Sequence, residues 1–160
     1  MMHLSLRGSG ERFLEACEAA LGLRPPSTPN TVASSGTLSI LWLGPDEWLL
    51  VISPGGKSWS VPVLIEELGK ALAGIHSAVV DVTSSRKTLV VSGERAEEVL
   101  AKAATLDFSL AAFPVGSCAQ TNIARTQGII QRRGAQDFVI YVRTSFAPYL
   151  RAWLADAGEA

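Results

Sequence analysis

With 160 residues and 14 Lys and Arg against 15 Asp and Glu, the chain is long enough for one domain, or for two small halves in one body, and short for a two-domain cofactor enzyme. The cations are scattered rather than striped, which excludes the electrostatic footprint of a nucleic-acid binder. Charged residues reach only 18% and hydrophobics 48%, against about 25% charged in an ordinary globular domain, so the composition points to a buried partner face.

His3 to Arg7 reads as a strand, and Glu11 to Leu23 as a helix that carries Phe13, Leu14, Cys17, Ala20 and Leu21 at helical spacing, with Ser9 as its cap. Pro25 to Asn30 cannot hold a helix and forms a surface connection; Thr31 to Ala33 pairs briefly before a hairpin of Leu38–Leu43 and Glu47–Ile52, whose turn is Gly44-Pro45-Asp46. Val61 to Ala73 presents Val61, Leu64, Ile65, Leu68 and Leu72 on one helix face, and Ser77 to Val82 follows as a strand. Further on, Thr88–Ser92 is a strand and Gly93–Ala103 a helix. Ser117–Ala124, Gly128–Arg133 and Phe138–Arg143 are strands, and a helix runs from Ser145 to Ala157 with Phe146, Tyr149, Leu150, Trp153 and Leu154 on one stripe.

The hairpin occurs twice. Gly134 answers Gly44, Asp137 answers Glu47 and Phe138 answers Trp48, each 90 residues later (44 to 134, 47 to 137, 48 to 138), and each hairpin precedes a helix. Internal duplication is the reading that explains this. The element order strand, helix, strand, strand, helix, strand is the split βαβ, ferredoxin-like arrangement. The expected fold is therefore α/β (α+β): two ferredoxin-like halves, about 1–82 and 83–160 of a single domain, with mostly antiparallel sheets and helices on one face. The uncovered faces or edges of such sheets must meet each other or a partner.

No run reaches the ~18 to 20 apolar residues of a membrane span, and the start, Met1 to Arg7, lacks the apolar core and small-residue cleavage pattern of an export signal. No membrane partner is expected, and the cytoplasm is the expected compartment. Cys17 and Cys118 stand far apart without CxxC spacing, as reduced and buried thiols would.

Motifs that carry chemistry are few. Gly55-Gly56-Lys57-Ser58 resembles the end of a phosphate-binding loop, yet Val51 holds the place of its required first Gly. Gly8 and Gly10 lack the third Gly of a dinucleotide fingerprint, that place being Phe13. His3 and His76, the only histidines, have no neighbouring ligands at metal spacing and are expected on the surface or lining loops. Asp46 and Glu47 are explained by turn chemistry, since neighbours on a strand point to opposite faces. Trp42, Trp48, Trp59 and Trp153 fit a core or interface better than a platform for a flat ligand, and Asp81 fits a turn cap beside Thr83.

Four segments, Leu41–Val51 (LWLGPDEWLLV), Ala78–Gly93 (AVVDVTSSRKTLVVSG), Phe113–Ala124 (FPVGSCAQTNIA) and Val142–Leu154 (VRTSFAPYLRAWL), resemble the gamma-subunit family of heterotetrameric sarcosine oxidase in order and spacing over nearly the whole chain. Pro148 departs from that pattern, where an acidic residue is expected. A wider resemblance to the tetrahydrofolate-dependent aminomethyltransferase group rests on Asp81, Gly93, Asp107, Gly116 and Thr121. It supports the duplicated fold and not the folate activity. The chain is about half the length of those enzymes, and the KGCYxGQE motif of their iron-sulfur-repair relatives is absent.

The resemblance implies a non-catalytic subunit that braces the large flavoprotein subunit, holding no cofactor, while partner subunits bind FAD, FMN, NAD and tetrahydrofolate and oxidise sarcosine to glycine. Gly44, Pro45, Asp46, Glu47 and Trp48 of the first hairpin, with Tyr149 and Trp153 of the last helix, are the expected partner contacts. Trp48 has a second reading as a residue of the domain's own core. The rival function is a free-standing tetrahydrofolate-binding protein or aminomethyltransferase-like enzyme, with Asp81 or Glu47 toward the pterin.

Overall fold

The computed structural model describes residues 1–55 and 60–159. Two compact units follow one another, Met1–Thr83 and Ser84–Ala160. The first runs β1 (Met2–Gly8), α1 (Glu11–Leu21), β2 (Val32–Ser35), β3 (Leu38–Gly44), β4 (Glu47–Ile52), α2 (Val61–Ala71) and β5 (Ser77–Asp81). The second runs β6 (Arg86–Ser92), α3 (Ala96–Ala103), β7 (Cys118–Ile123), β8 (Thr126–Gly134), β9 (Asp137–Arg143), a single 3-10 turn (Thr144–Phe146) and α4 (Ala147–Glu159).

Every strand pair is antiparallel. The first sheet has the order β2-β3-β4-β1-β5 and the second β6-β9-β8-β7. With β2 set aside as an added edge, the first unit is the βαββαβ arrangement with its first strand in the middle. The second repeats that layout as far as its last helix, and β5 has no counterpart among the described residues.

The duplication extends to the hydrogen-bond register. In the first hairpin Trp42 faces Trp48, the register shifts, and Gly44 faces Glu47; in the second Arg132 faces Phe138, the register shifts, and Gly134 faces Asp137. The same bulge therefore stands at the same place in both turns, where one extra residue tightens the twist.

Alternation along the strands assigns the core. Leu4 and Leu6 of β1, Trp48, Leu50 and Ile52 of β4 and Ile40 of β3 pack with Phe13, Cys17, Leu64 and Leu68 of the helices. In the second unit Ile130, Phe138, Ile140 and Val142 pack with Leu100, Phe108 and Leu150. The centres of the opposite faces are buried as well, with His3, Leu41, Leu49 and Val51 in one unit and Ile129, Gln131, Val139 and Tyr141 in the other.

Two local expectations are corrected. Ser9 does not cap α1: Gly10 holds the cap position at φ 86, with no side-chain cap bond. The helix expected from Gly93 begins at Ala96, because Gly93 sits at φ 111, outside helical backbone geometry. Gly8, half of the sequence's apparent dinucleotide motif, is a packing residue instead, since a Cβ there would lie 2.2 Å from the Phe13 ring.

Candidate functional site

The first hairpin places a buried aromatic beneath an exposed tip. Pro45 and Asp46 are exposed and Gly44 and Glu47 half-buried, while the Glu47 carboxylate pairs with Arg7 Nη2 at 2.9 Å. Trp48 is 3% exposed. Its ring stacks on Phe13 with centroids 5.5 Å apart, and its indole N–H donates to the Pro26 carbonyl at 2.8 Å. The expectation of Trp48 as a partner anchor is corrected accordingly: the side chain lies inside the core of its own unit and ties down the proline-rich connection.

The second hairpin holds the most heavily bonded side chain of the chain's described residues. Arg132 is completely buried. Its Nη1 donates to the carbonyls of Phe108 at 2.6 Å and Phe113 at 3.1 Å, its Nε to Gly134 O at 3.3 Å, and its Nη2 to Ala135 O and the Glu97 carboxylate. The guanidinium also lies 4.8 Å from the Phe138 ring centroid, where the ring's negative face attracts a cation. Sequence reading missed this residue. A signal for it existed, because the 90-residue repeat puts position 132 where Trp42 stands, across from a core aromatic.

The last helix and the 3-10 turn before it offer the exposed aromatics. Tyr149 is 39% and Phe146 43% exposed, and Trp153 is half-buried against the second core. Of the remaining tryptophans, Trp42 is half-buried on the first core; Trp59 lies outside the described residues, as do Gly56, Lys57 and Ser58 of the loop that mimics a phosphate-binding motif.

The carboxylates that could serve a ligand are engaged in turns. Asp81 Oδ1 accepts the Thr83 N–H at 2.9 Å, and the Thr83 side chain and amide hold that carboxyl below its ordinary pKa. Asp107 Oδ1 accepts the Ser109 N–H at 2.9 Å, which lowers its pKa in the same way. Two residues behind the wider aminomethyltransferase resemblance are thus turn caps here. His76 is exposed, whereas His3 is 2% exposed, against the expectation of a surface role. It stands across from Val51 in the register, beside buried Leu49 and Leu41 on the same sheet face. Cys17 and Cys118 are buried free thiols.

The open grooves are shallow and differ in character. One of about 570 Å³ lies along β6 between α3 and α4. Another of about 530 Å³ is polar, lined by Arg86, Arg143, Gln120, Asn122 and Gln127. Among the described residues no three His, Cys, Asp or Glu side chains converge on a point where a metal ion would sit, and no helix is long and apolar enough to cross a membrane.

Comparison with known proteins gives this arrangement a family. The model of the "Sarcosine oxidase, gamma subunit family" matches residues 8–160. The chain belongs to that family. Sarcosine oxidase subunit gamma of an Arthrobacter species is 36% identical over 144 residues, covering 89% of this chain and 68% of the relative. The subunit of Corynebacterium sp. strain P-1 is 35% identical over 150 residues, covering 92% and 70%.

Among solved structures, a chain of the heterotetrameric sarcosine oxidase from Corynebacterium sp. U-96, in complex with pyrrole 2-carboxylate, superposes with a TM-score of 0.88 at 32% identity over 98% of this chain and 78% of that one. The glycine cleavage system aminomethyltransferase T from Bartonella henselae superposes at 0.63 with 18% identity over 96% of this chain and 42% of its own. That likeness extends to the fold alone. The gamma-subunit family therefore uses an aminomethyltransferase-like α/β fold.

Proposed function

We propose that this gamma-family chain is the non-catalytic subunit of a heterotetrameric sarcosine oxidase, which oxidises sarcosine to glycine with tetrahydrofolate as one-carbon acceptor, and that it braces the large flavoprotein subunit. The observation that carries the reading is the superposition over 98% of the chain on a subunit of such an enzyme. The chain itself holds no cofactor in this account; FAD, FMN, NAD and tetrahydrofolate sit on its partners, and the complex works in the cytoplasm.

The partner contacts on this chain are the tip residues Gly44, Pro45, Asp46 and Glu47, with Tyr149 and Trp153 on α4. Aromatics that reach the surface anchor such interfaces, each contributing on the order of 2 kcal/mol when it enters a partner's pocket. Trp48 supports the tip from within.

The test is expression of the larger subunits with and without this chain. The expected result is that soluble, flavin-loaded complex forms in quantity only when the chain is present, and that the purified chain alone neither oxidises sarcosine nor binds tetrahydrofolate in a titration. Equal yield and activity without it would overturn the bracing role, and micromolar tetrahydrofolate binding by the isolated chain would favour the free-standing carrier.

A further inference from the structure

The first sheet is closed at the place where the second is open. In the first unit β1 has a strand on each side, with Leu6 facing Trp48 of β4 and Val79 of β5. β6 is the counterpart of β1, since Val91 faces Phe138 as Leu6 faces Trp48. The backbone agrees: Gly93 N–H donates to Gln136 O at 3.0 Å, as Gly8 N–H donates to Asp46 O at 3.1 Å. On its other side β6 is a sheet edge among the described residues.

Where β5 would lie stands the groove of about 570 Å³, floored by Ala96 and Val99 of α3 and Leu154 of α4. In the first unit the matching space takes the side chain of Val79, which packs on the core. β6 begins with Arg86 and Lys87, but its centre, Leu89-Val90-Val91, has no charge to repel another strand, and Val90 is 55% exposed. A long apolar edge of that kind is a template for strand pairing.

We propose that β6 is a strand-addition site, at which an extended segment of another subunit pairs antiparallel to β6 in the place that β5 takes on β1. Main-chain bonds supply the affinity and alternate side chains the selectivity. Because the Gly93 amide points to the hairpin side, strand alternation sends the amides of Val90 and Ser92 outward, toward the incoming segment. An apolar residue at the position of Val79 fills the groove against Val99 and Leu154. The segment also carries a carboxylate: Arg151 lines the groove without an ion-pair or hydrogen-bond partner among the described residues, and no acidic side chain lines it.

This rests on the subunit reading above, and the test separates the two. Hydrogen exchange is measured on the free chain and on the chain within the purified complex, and Val90→Pro and Arg151→Glu are co-expressed with the larger subunits. Val90→Pro removes an outward N–H at a sheet edge, where proline is tolerated. Val90→Lys serves in its place if the proline variant does not fold.

The expected result is at least tenfold slower exchange at Val90 and Ser92 in the complex. Recovery of complex should fall at least tenfold for the position-90 variant and severalfold for Arg151→Glu, with each free variant melting near the parent. If the chain assembles but these amides exchange as in the free chain, or the position-90 variant assembles normally, strand addition is overturned and the subunit reading stands. Protection of the same amides by self-association of the free chain overturns the assignment to another subunit, and failure to find any partner overturns both.

Discussion

In the first unit an indole holds the connection that follows the first helix, with Trp48 donating to Pro26 O; in the second a guanidinium holds the corresponding connection, with Arg132 donating to Phe108 O and Phe113 O. Both hairpins share a bulge and a buried aromatic at positions 48 and 138. The Phe138 ring, however, has no N–H to offer. Loop carbonyls turned toward a core need a donor, and the residue across the strand supplies it: position 132, which in the first unit is Trp42. Duplication has kept the backbone and the requirement while moving the donor to another side chain.

The largest break in that comparison is Trp48→Ala, which empties a packed site beside Phe13 and should lower the stability to urea by about 3 to 5 kcal/mol. Trp48→Phe, copying position 138, should keep most of the packing and lose about 1 kcal/mol with the bond to Pro26. Equal losses for the two would show that the indole bond, rather than packing, dominates. Next comes Arg132→Met, which leaves the Phe108 and Phe113 carbonyls without their donor and should lose about 2 to 4 kcal/mol. A neutral result would mean that the loop is held by its aromatic packing alone.

A pH series sharpens the difference between the cores. Burial raises the Cys17 thiol from 9.0 to about 12. The unfolded chain therefore releases that proton from pH 9 upward while the folded chain retains it. Stability is unaffected by this group below pH 9 and falls as pH rises above it, by at most about 1.4 kcal/mol per unit. Cys17→Ala should flatten the decline seen in urea midpoints between pH 8 and 11. It should leave a residual slope from Tyr141, whose phenol burial also pushes up. An unchanged slope would remove Cys17 from the account. The smallest stability effect is expected for Tyr149→Ala, within about 0.5 kcal/mol of the parent by thermal unfolding, together with weaker assembly into the complex.

Much of this fold was legible because the strongest signals were local. Alternating apolar residues around Gly44-Pro45-Asp46 place β4 at Glu47–Ile52, and the 90-residue repeat carries the same hairpin to Asp137. Gly93 read as a helix start because spacing does not reveal a positive φ. Arg132 and His3 were not legible as buried residues. Each is a polar residue within a strand, and alternation assigns the side of the sheet without stating whether that side meets water. The candidate contact set divides for the same reason. Sequence joins Trp48 to its exposed neighbours, whereas the strand turns its side chain inward and leaves Pro45, Asp46 and Tyr149 on the surface.

The most direct test is gentle recovery of the chain from the cells that make it, with the mass, subunit composition and visible absorption of whatever accompanies it. The account predicts a yellow complex containing several larger chains and sarcosine-oxidising activity. A colourless 17.0 kDa monomer under the same conditions would contradict it.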